Sequence, residues 1–404
     1  MTQFPNTARN ESLTNQMHQP VLKVLGLGGG GSNAVARMME LGLRGMEFIA
    51  ANTDHQALQS NPADVKIQLG PKVTRGLGAG GDPAVGKAAA EESWREIAAA
   101  LKGADMVFLT AGMGGGTGTG SIPVAAKIAR SLGAVTIAIV TTPFSFEMGR
   151  RQKNAREGLE RLRKETNTLI SIPNDQLLYV APKTLTLETA FCLADDVLRQ
   201  SVEGISELIT QPGMINVDFA HIKRLVQLGG GALMSIGHGQ GKNKAREAVD
   251  QALHHPLLDN VPVENAAGVI VNFTGGQDLT LTEVYESLNH IQQQTGNQAE
   301  IVMGVINDDR MDDRVQVILV MTGSGAPTLE EAMSSVKSDH SKEDRMIPPV
   351  QEAIITEPPI TPQETAQPKV RSISGLTANG TDLAAMKQNL DIPAFMRRQA
   401  RFAG

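Results

Sequence analysis

The stretch AGMGGGTGTG at residues 111–120 carries the strongest fold signal in this sequence. It follows an apolar run from Met106 to Thr110 that reads as a buried strand. An alanine-rich segment after it predicts a helix from about Ile122, with Pro123 in the first turn. Glycines let backbone N–H groups approach an anion without a Cβ clash, and a helix start adds the positive end of its dipole. The stretch therefore predicts a turn that holds a phosphate between a strand and a helix.

A second glycine-rich turn is expected near the start of the chain. Residues 21–25 form a short apolar run, residues 26–31 are rich in glycine, and a helical pattern begins at Ser32. The spacing fits G-x-G-x-x-G, which also occurs in dinucleotide-binding oxidoreductases, where Asp54 could serve as the acid that binds the ribose. This spacing alone leaves three interpretations open: a phosphate turn, a dinucleotide turn or a plain tight turn.

A third glycine cluster, residues 76–83, contains a misleading match. Residues 81–87 fit G-x-x-x-x-G-K, but Ala88 stands where that motif needs Ser or Thr, and no apolar strand leads into the segment. We interpret the match as coincidence. The cluster is expected to cap the same phosphates as a third loop.

The periodicity of the rest predicts an α/β fold with a mainly parallel sheet, because strand and helix patterns alternate. A long amphipathic segment at 185–210 predicts a central helix. Helical patterns near 242–254 and 280–294 lie among later strands and predict a second, smaller α/β domain. The further predicted strands are residues 46–51, 134–141, 232–236, 268–273, 301–306 and 314–321.

Composition narrows the class of protein. Apolar residues make up 41% of the 404 and charged residues 20%, as in ordinary globular proteins. No apolar stretch is long enough to span a membrane, and residues 1–20 lack the apolar core of a signal peptide. Cys192 is the single cysteine, which excludes internal disulfides. The net charge of −6 argues against a nucleic-acid scaffold, and we expect a cytoplasmic protein.

The chain is expected to divide into six parts. Residues near 330–385 are rich in Ser, Thr, Pro, Glu and Gln, which predicts a disordered linker. After it, LDIPAFMRR at 390–398 combines apolar and basic residues and suits a peptide that docks into a partner's groove. The predicted parts are a tail at 1–20, a nucleotide-binding domain at 21–184, a central helix at 185–212, a second domain at 213–327, a linker at 328–386 and a terminal peptide at 387–404.

These motifs together resemble the tubulin/FtsZ GTPase family over about residues 21–325 and the terminal peptide. The resemblance rests on the three glycine stretches and on motifs between and after them. The glycine stretches are VLGLGGGGSNAV at 24–35, RGLGAGGDPAVG at 75–86 and AGMGGGTGTG at 111–120. The other motifs are NTD at 52–54, TTPFSFEMGRR at 141–151, IPND at 172–175 and NVDFA at 216–220. An oxidoreductase would leave the GGGTGTG stretch and the terminal peptide unexplained.

The resemblance implies a Rossmann-like GTP-binding domain, a long central helix and a second, smaller α/β domain. It implies GTP or GDP as ligand, with Mg²⁺ held mainly through the phosphates and no dedicated metal site in the protein. The residues that it assigns to the nucleotide are Gly29, Gly30, Gly31, Ser32 and Asn33 in the first turn, Gly116, Thr117 and Gly118 in the signature turn, Glu147 and Arg151 near ribose and phosphates, and Asn174, Phe191 and Asp195 near sugar and base. For Glu147 and Arg151 a plain surface ion pair remains the alternative.

The resemblance also implies partners. Tubulin-like proteins assemble head to tail, and the loop after the central helix of one subunit completes GTP hydrolysis on the next. For this chain the resemblance implies filaments that form the bacterial division ring, at mid-cell on the inner face of the membrane. The terminal peptide is expected to bind membrane tethers such as FtsA or ZipA and regulators such as MinC, so that the membrane contact is indirect. The peptide residues are Asp391, Ile392, Pro393, Phe395, Met396 and Arg397.

The sequence departs from the family pattern in that catalytic loop. The family pattern N-x-D-F-A-D has two acids, whereas here Asn216 and Asp218 are followed by His221 at the second acidic position. A neutral imidazole has one acceptor nitrogen and a protonated one has none, so His221 orients water less well than a carboxylate. Two hypotheses stay open: a working polymer-dependent GTPase in which Asp218 suffices, and a hydrolysis-impaired relative that forms stable structural or regulatory filaments.

Overall fold

The structure is a computed structural model, which describes residues 20–147, 149–180, 186–211, 213–215, 217–227, 231–255, 263–296 and 298–323. These residues form a mixed α/β fold around one ten-stranded sheet. Seven of its strand pairs are parallel and two are antiparallel, so the predicted α/β class is confirmed. The strands are β1 (Leu22–Leu27), β2 (Glu47–Asn52), β3 (Val65–Gln68), β4 (Met106–Gly112), β5 (Val135–Thr142), β6 (Thr168–Pro173), β7 (Gly231–Gln240), β8 (Gly268–Gly275), β9 (Glu300–Asn307) and β10 (Arg314–Thr322).

The helices connect and cover these strands. Within the described ranges, three single-turn 3₁₀ helices lie in the connections, at Ser145–Glu147, Val263–Asn265 and Asp309–Met311. The α-helices of the described residues are α1 (Gly28–Glu40), α2 (His55–Gln59), α3 (Pro83–Glu92), α4 (Trp94–Leu101), α5 (Thr117–Ser131), α6 (Arg150–Glu165), α7 (Asn174–Val180), α8 (Leu187–Thr210), α9 (Phe219–Gln227), α10 (Lys244–Leu253) and α11 (Leu281–Gln294).

The strand order places a switch in direction between β1 and β4. The order is β3-β2-β1-β4-β5-β6-β7-β10-β8-β9, so the chain first builds outward from β1 on one side and then crosses to the other. Gly26 on β1 pairs in register with Thr110 on β4, and both strands point the same way. The turns that follow β1 and β4 therefore emerge side by side, at the position where open α/β sheets commonly bind ligands.

Both faces of the sheet are buried, which explains the continuous apolar runs in its strands. Leu22 and Val24 face a cluster that includes side chains of α1, α8 and α9. Leu25 and Leu27, on the opposite face, join side chains of α3, α4, α5 and α6. A third cluster packs α10 and α11 with the strands around β8 and β10.

The long central helix is present as α8, and it begins two residues after the predicted segment does. Thr186 caps it by accepting a hydrogen bond from the Thr189 N–H at 3.2 Å. Beyond α8 the chain returns to the same sheet, because Leu169 and Ile170 on β6 pair with the start of β7. The strands before and after the helix are thus joined edge to edge. None of the helices in the described residues is both long and apolar enough to cross a membrane.

The predicted limits of both glycine turns are wrong. Helix α1 already begins at Gly28 and helix α5 at Thr117, so Pro123 lies inside α5 and not in its first turn. The glycines of α5 are needed because the backbones of other segments pack closely against this helix. A Cβ on Gly120 would lie 2.1 Å from the Pro83 carbonyl oxygen of α3, and one on Gly118 would lie 3.0 Å from the Gly112 carbonyl oxygen.

Candidate nucleotide site

A cavity of about 410 Å³ opens at the switch point between β1 and β4. Its size is within the usual range for small-molecule sites. The two glycine-rich helix starts form one end, and the first turns of α8 form the other. The lining residues are Gly29, Gly30, Asn33, Gly112, Met113, Gly115, Gly116, Thr117, Gly118, Thr141, Thr142, Pro143, Glu147, Arg151, Asn174, Phe191, Ala194 and Asp195.

The N-termini of α1 and α5 form an anion-binding end of the cavity. Neither helix has a side chain that caps its first turn, so its N–H groups stay available to a ligand. The two turns touch each other, since a Cβ on Gly28 would lie 2.7 Å from the Gly118 nitrogen. A Cβ on Gly29 or Gly115 would meet nothing within 4 Å, which shows open space in front of both turns. Two positive helix ends that face one space favour a ligand with several negative charges.

The two threonines of the signature stretch face different ways. Thr117 lines the cavity, and its hydroxyl lies 2.6 Å from the Thr53 hydroxyl behind it. Thr119 is buried, and its hydroxyl accepts a hydrogen bond of 2.8 Å from the Gly114 N–H. Thr117 is thus available to a ligand, while Thr119 fixes the loop.

Glu147 and Arg151 form an ion pair at the edge of the cavity. The carboxylate of Glu147 also accepts a hydrogen bond of 3.0 Å from the Phe144 N–H, and its side chain is only 9% exposed. The Arg151 side chain is 59% exposed, so its guanidinium can turn towards a ligand. Glu147 and Arg151 therefore form an i, i+4 ion pair and also line the cavity, so the two interpretations of these residues do not exclude each other.

Asn174, Phe191 and Asp195 lie together in the lining. Asn174 is buried, and its amide oxygen has no hydrogen-bond partner among the described residues, which fits an atom reserved for a ligand hydroxyl. Phe191 is 40% exposed, and its ring packs edge to face with that of Phe144, with 5.5 Å between the ring centroids, so the ring is supported on one side and open to a ligand on another. Burial raises the pKa of Asp195 to about 7, although the positive charge of Arg37 opposes the shift. An aromatic face beside a carboxylate suits a base such as guanine, which carries two adjacent donors.

Several residues assigned from the sequence lie away from the cavity lining. Gly31 and Ser32 are buried in α1, and a Cβ on Gly31 would lie 2.3 Å from the Thr110 carbonyl oxygen. Asp218 and His221 are exposed at the start of α9. Asn216 and the terminal peptide lie outside the described residues.

The remaining acidic and glycine motifs have structural roles. Asp54 caps α2 by accepting hydrogen bonds from two of its N–H groups, so it is not placed as a ribose ligand. The cluster at 76–83 lies behind the signature turn and does not line the cavity. Asp82 caps α3 through the Ala84 N–H, and Lys87 is exposed near Glu91, which agrees with a coincidental G-x-x-x-x-G-K match.

The sequence missed the part of the lining that comes from strand ends. The pattern of predicted strands could have indicated these residues, because the carboxyl ends of neighbouring parallel strands meet at one edge of a sheet. All of the missed residues lie in segments that were singled out, namely the stretches at 111–120 and 141–151 and the predicted central helix, but none was assigned individually. The missed residues are Gly112, Met113, Gly115, Thr141, Thr142, Pro143 and Ala194. The described residues contain no group of three or more His, Cys, Asp or Glu side chains placed to hold a metal ion.

Fold and cavity together define a nucleotide-binding protein of the tubulin/FtsZ GTPase class. Residues 21–182 match the Tubulin/FtsZ family, GTPase domain, and residues 230–325 match the FtsZ family, C-terminal domain. A solved structure of an empty FtsZ dimer from M. jannaschii is 46% identical, with a TM-score of 0.73, and the match covers 76% of this chain and 89% of that one. The chain therefore belongs to the FtsZ family.

More distant structures share the fold alone. CetZ2 from Haloferax volcanii, described as a GTPγS-bound protofilament, is 19% identical with a TM-score of 0.67, over 80% of this chain and 99% of that one. CetZ1 from the same organism, described as a GDP-bound monomer, is 20% identical with a TM-score of 0.66, over 80% of this chain and 100% of that one.

Proposed function

We propose that this protein binds GTP, polymerises head to tail and hydrolyses GTP only where two subunits meet. The observation that carries the proposal is an incomplete catalytic site. The ionisable side chains in the cavity lining are Glu147, Arg151 and Asp195, and Glu147 is already engaged by Arg151 and the Phe144 N–H. Asp195 belongs with Phe191 at the base end. Within the part of the lining that the structure describes, no carboxylate is left to orient water at the phosphates.

The cavity suits GTP from end to end. The N–H groups of the first turns of α1 and α5 hold the phosphates, and Arg151 adds a positive charge that can neutralise them. Phe191 stacks on guanine, and the ionised carboxylate of Asp195 accepts hydrogen bonds from N1–H and the exocyclic amine. The unpartnered amide oxygen of Asn174 accepts from a ribose hydroxyl. When bound with the nucleotide, Mg²⁺ neutralises charge on the phosphate oxygens.

The missing carboxylate is available on the surface of another copy. Asp218 is exposed at the start of α9, where one of its oxygens, Oδ1, accepts a hydrogen bond of 2.9 Å from the Ala220 N–H. That bond orients the carboxylate and leaves Oδ2 to accept a hydrogen bond from an attacking water. Met214, four residues earlier in the chain, is three-quarters exposed and offers apolar surface. A contact between this surface and the cavity of the next subunit does not close on itself, so it propagates a filament.

The first experiment measures phosphate release and light scattering with GTP and Mg²⁺ across a protein concentration series. We expect release to rise above a threshold concentration together with scattering. Asp218→Asn should assemble with GTP and release little phosphate, while Asp195→Asn should bind GTP weakly and fail in both. Release that is proportional to concentration, with no threshold and no scattering, would contradict hydrolysis between subunits.

A second candidate function is a stable filament with impaired hydrolysis, which His221 favours. Its side chain is exposed one helical turn after Asp218, at the position where the family pattern has an acid. A histidine that is protonated there would pair with the γ-phosphate and strengthen the subunit contact while it fails to orient water. In that case filaments form without phosphate release, and His221→Asp restores turnover. Ordinary turnover that is unchanged in His221→Asp would exclude this candidate.

The cellular role that we propose is the bacterial division ring. The filament would lie in the cytoplasm on the inner face of the membrane at mid-cell, attached indirectly through the terminal peptide at 387–404 to tethers such as FtsA or ZipA and open to regulators such as MinC. Deletion of residues 390–398 should abolish tether binding and leave GTP binding and melting temperature unchanged. Tether binding that survives this deletion would place the contact elsewhere.

A further inference from the structure

The hydroxyls of Thr53 and Thr117 are in contact behind the anion-binding end of the cavity, where the nucleotide phosphates are proposed to bind. Their oxygen atoms are 2.6 Å apart, a short distance for two neutral hydroxyls. Thr117 is the first residue of α5 and lines the cavity, whereas Thr53 follows β2 and has no exposed surface. One member of the pair can therefore reach a ligand and the other cannot.

The backbone around Thr53 is held from several sides, so its hydroxyl has little freedom to move. Its carbonyl oxygen accepts hydrogen bonds from the Gln68 side-chain amide at 3.0 Å and from the Gly78 N–H at 3.3 Å. The next residue, Asp54, caps α2. These contacts fix the position of the hydroxyl relative to α5.

The direction of the hydrogen bond follows from the protons that the pair holds. Each hydroxyl has one proton to donate, and a phosphate oxygen only accepts. If Thr117 donates its proton to a phosphate, it cannot also donate to Thr53. The contact then persists only when Thr53 donates to Thr117. A hydroxyl that accepts a hydrogen bond also becomes a stronger donor, because the bonds in a chain polarise one another.

We infer that Thr53 is a positioning residue, which donates its proton to the Thr117 hydroxyl and so directs the Thr117 proton at a nucleotide phosphate. This inference rests on the proposed GTP binding. It assigns a ligand-dependent role to a residue that never touches the ligand. The role concerns the phosphates alone, because the base end of the cavity, at Phe191 and Asp195, uses other elements.

The test compares affinities for GTP, GDP and guanosine by calorimetry. Thr53→Val removes the donor with little change of shape, and Thr53→Ser keeps it. We expect Thr53→Val to weaken GTP and GDP about tenfold, the size of one hydrogen bond to a charged group, and to leave guanosine unchanged. Thr53→Ser should stay within about twofold of the wild type. If Thr53→Val does not fold, Thr53→Ala takes its place.

A matched control separates this effect from the loss of any buried hydroxyl. Thr168 is buried, and its hydroxyl donates a hydrogen bond of 2.8 Å to the Val226 carbonyl oxygen, outside the cavity lining. Thr168→Val should lower stability and leave all three affinities unchanged. Phosphate-dependent weakening in Thr168→Val equal to that in Thr53→Val would overturn the inference.

A double-mutant cycle tests the direction of the chain of donors. If Thr53 acts through Thr117, then the double variant Thr53→Val/Thr117→Val binds GTP no more weakly than Thr117→Val alone. Additive losses, or a Thr53→Val variant that binds GTP as tightly as the wild type, would refute the inference and leave GTP binding intact. A wild-type protein that binds guanosine, GDP and GTP equally poorly would refute the proposed function itself and this inference with it.

Discussion

The buried hydroxyl of Thr119 accepts a hydrogen bond of 2.8 Å from the backbone N–H of Gly114, across the turn between β4 and α5. Gly114 has a φ of +99°, a conformation that is open to glycine and unfavourable for other residues. The side chain of Asn154 donates to the Gly114 carbonyl oxygen at 3.3 Å, which fixes the other side of the same peptide region. The loop that lines the cavity at Met113, Gly115 and Gly116 is therefore held from within α5 and from α6.

We predict that Thr119→Val weakens nucleotide binding. Valine has nearly the same shape but leaves the Gly114 N–H without an acceptor, which costs about 1–3 kcal/mol for a buried group. The loop can recover part of this only by moving, so we expect GDP affinity to fall about fivefold to fiftyfold. Thr119→Ser keeps the acceptor and should bind nearly as the wild type. Equal GDP affinities for Thr119→Val and Thr119→Ser in a fluorescence titration would contradict this role.

The second prediction concerns the pH dependence of base binding. Burial raises the pKa of Asp195 to about 7, so the carboxylate is mostly protonated at pH 6 and mostly ionised at pH 8. Only the ionised form accepts both guanine donors, so affinity should rise by about tenfold from pH 6 to pH 8. Guanosine is the better probe, since its lack of phosphate removes a second group that titrates in this range.

The control for this prediction is Asp195→Asn, which cannot ionise. It should bind guanosine weakly and with no change between pH 6 and pH 8. A wild-type affinity that stays level over this range, or one that falls towards pH 8, would show that the ionised carboxylate does not recognise the base.

The third prediction concerns the glycines in α5. A Cβ on Gly120 would lie 2.1 Å from the Pro83 carbonyl oxygen and 2.6 Å from the Lys87 nitrogen, both backbone atoms of α3. Gly120→Ala must push α3 away from α5, so we expect a loss of about 2–4 kcal/mol in the free energy of unfolding. Gly115→Ala is the matched control, because its Cβ would meet nothing within 4 Å. Denaturant unfolding that gives the same stability for both variants would contradict the packing argument.

Much of the fold can be read from the sequence because the strands are buried on both faces and read as continuous apolar runs. The helical positions of Gly28, Gly118 and Gly120 could not be predicted in this way. In a sequence they resemble loop residues, yet all three lie in helices, where glycine is needed because a Cβ at each position would come within about 3 Å of the backbone of another segment. Such proximity belongs to the packing of distant segments, which local patterns do not contain.

The residues of the site likewise fall into those that could be predicted from the sequence and those that could not. The family resemblance assigned Phe191, Asp195 and most of the named glycine-turn residues, and these line the cavity, whereas Gly31 and Ser32 do not. Thr53 could not be assigned, because its partner Thr117 is 64 residues away and the two meet only through the pairing of β2, β1 and β4. The strand order that brings them together is a property of the whole sheet.

The fourth prediction concerns Glu207 on α8, whose pKa is raised to about 7, chiefly by burial. Two further carboxylates, Glu203 on the same helix and Asp308 after β9, raise it as well, whereas Arg199 and Arg310 oppose them. Both arginines are already paired, Arg199 with Glu203 and Arg310 with Asp308. Glu207 itself accepts a hydrogen bond of 3.2 Å from the Gln211 side chain.

The sign of the effect follows from the shift. A carboxyl group whose pKa is higher in the folded than in the unfolded state binds more protons when folded, so its contribution to stability falls as pH rises from about 4.5 to about 7. Above pH 7 the ionised group costs roughly 1–2 kcal/mol, allowing for its partial exposure. Glu207→Gln removes that cost. We expect it to unfold at a higher denaturant concentration than the wild type at pH 8 and at nearly the same concentration at pH 5. Glu286→Gln, an exposed change on α11, should follow the wild type at both pH values. A Glu207→Gln variant with no gain at pH 8 would show that the arginines already compensate the buried charge.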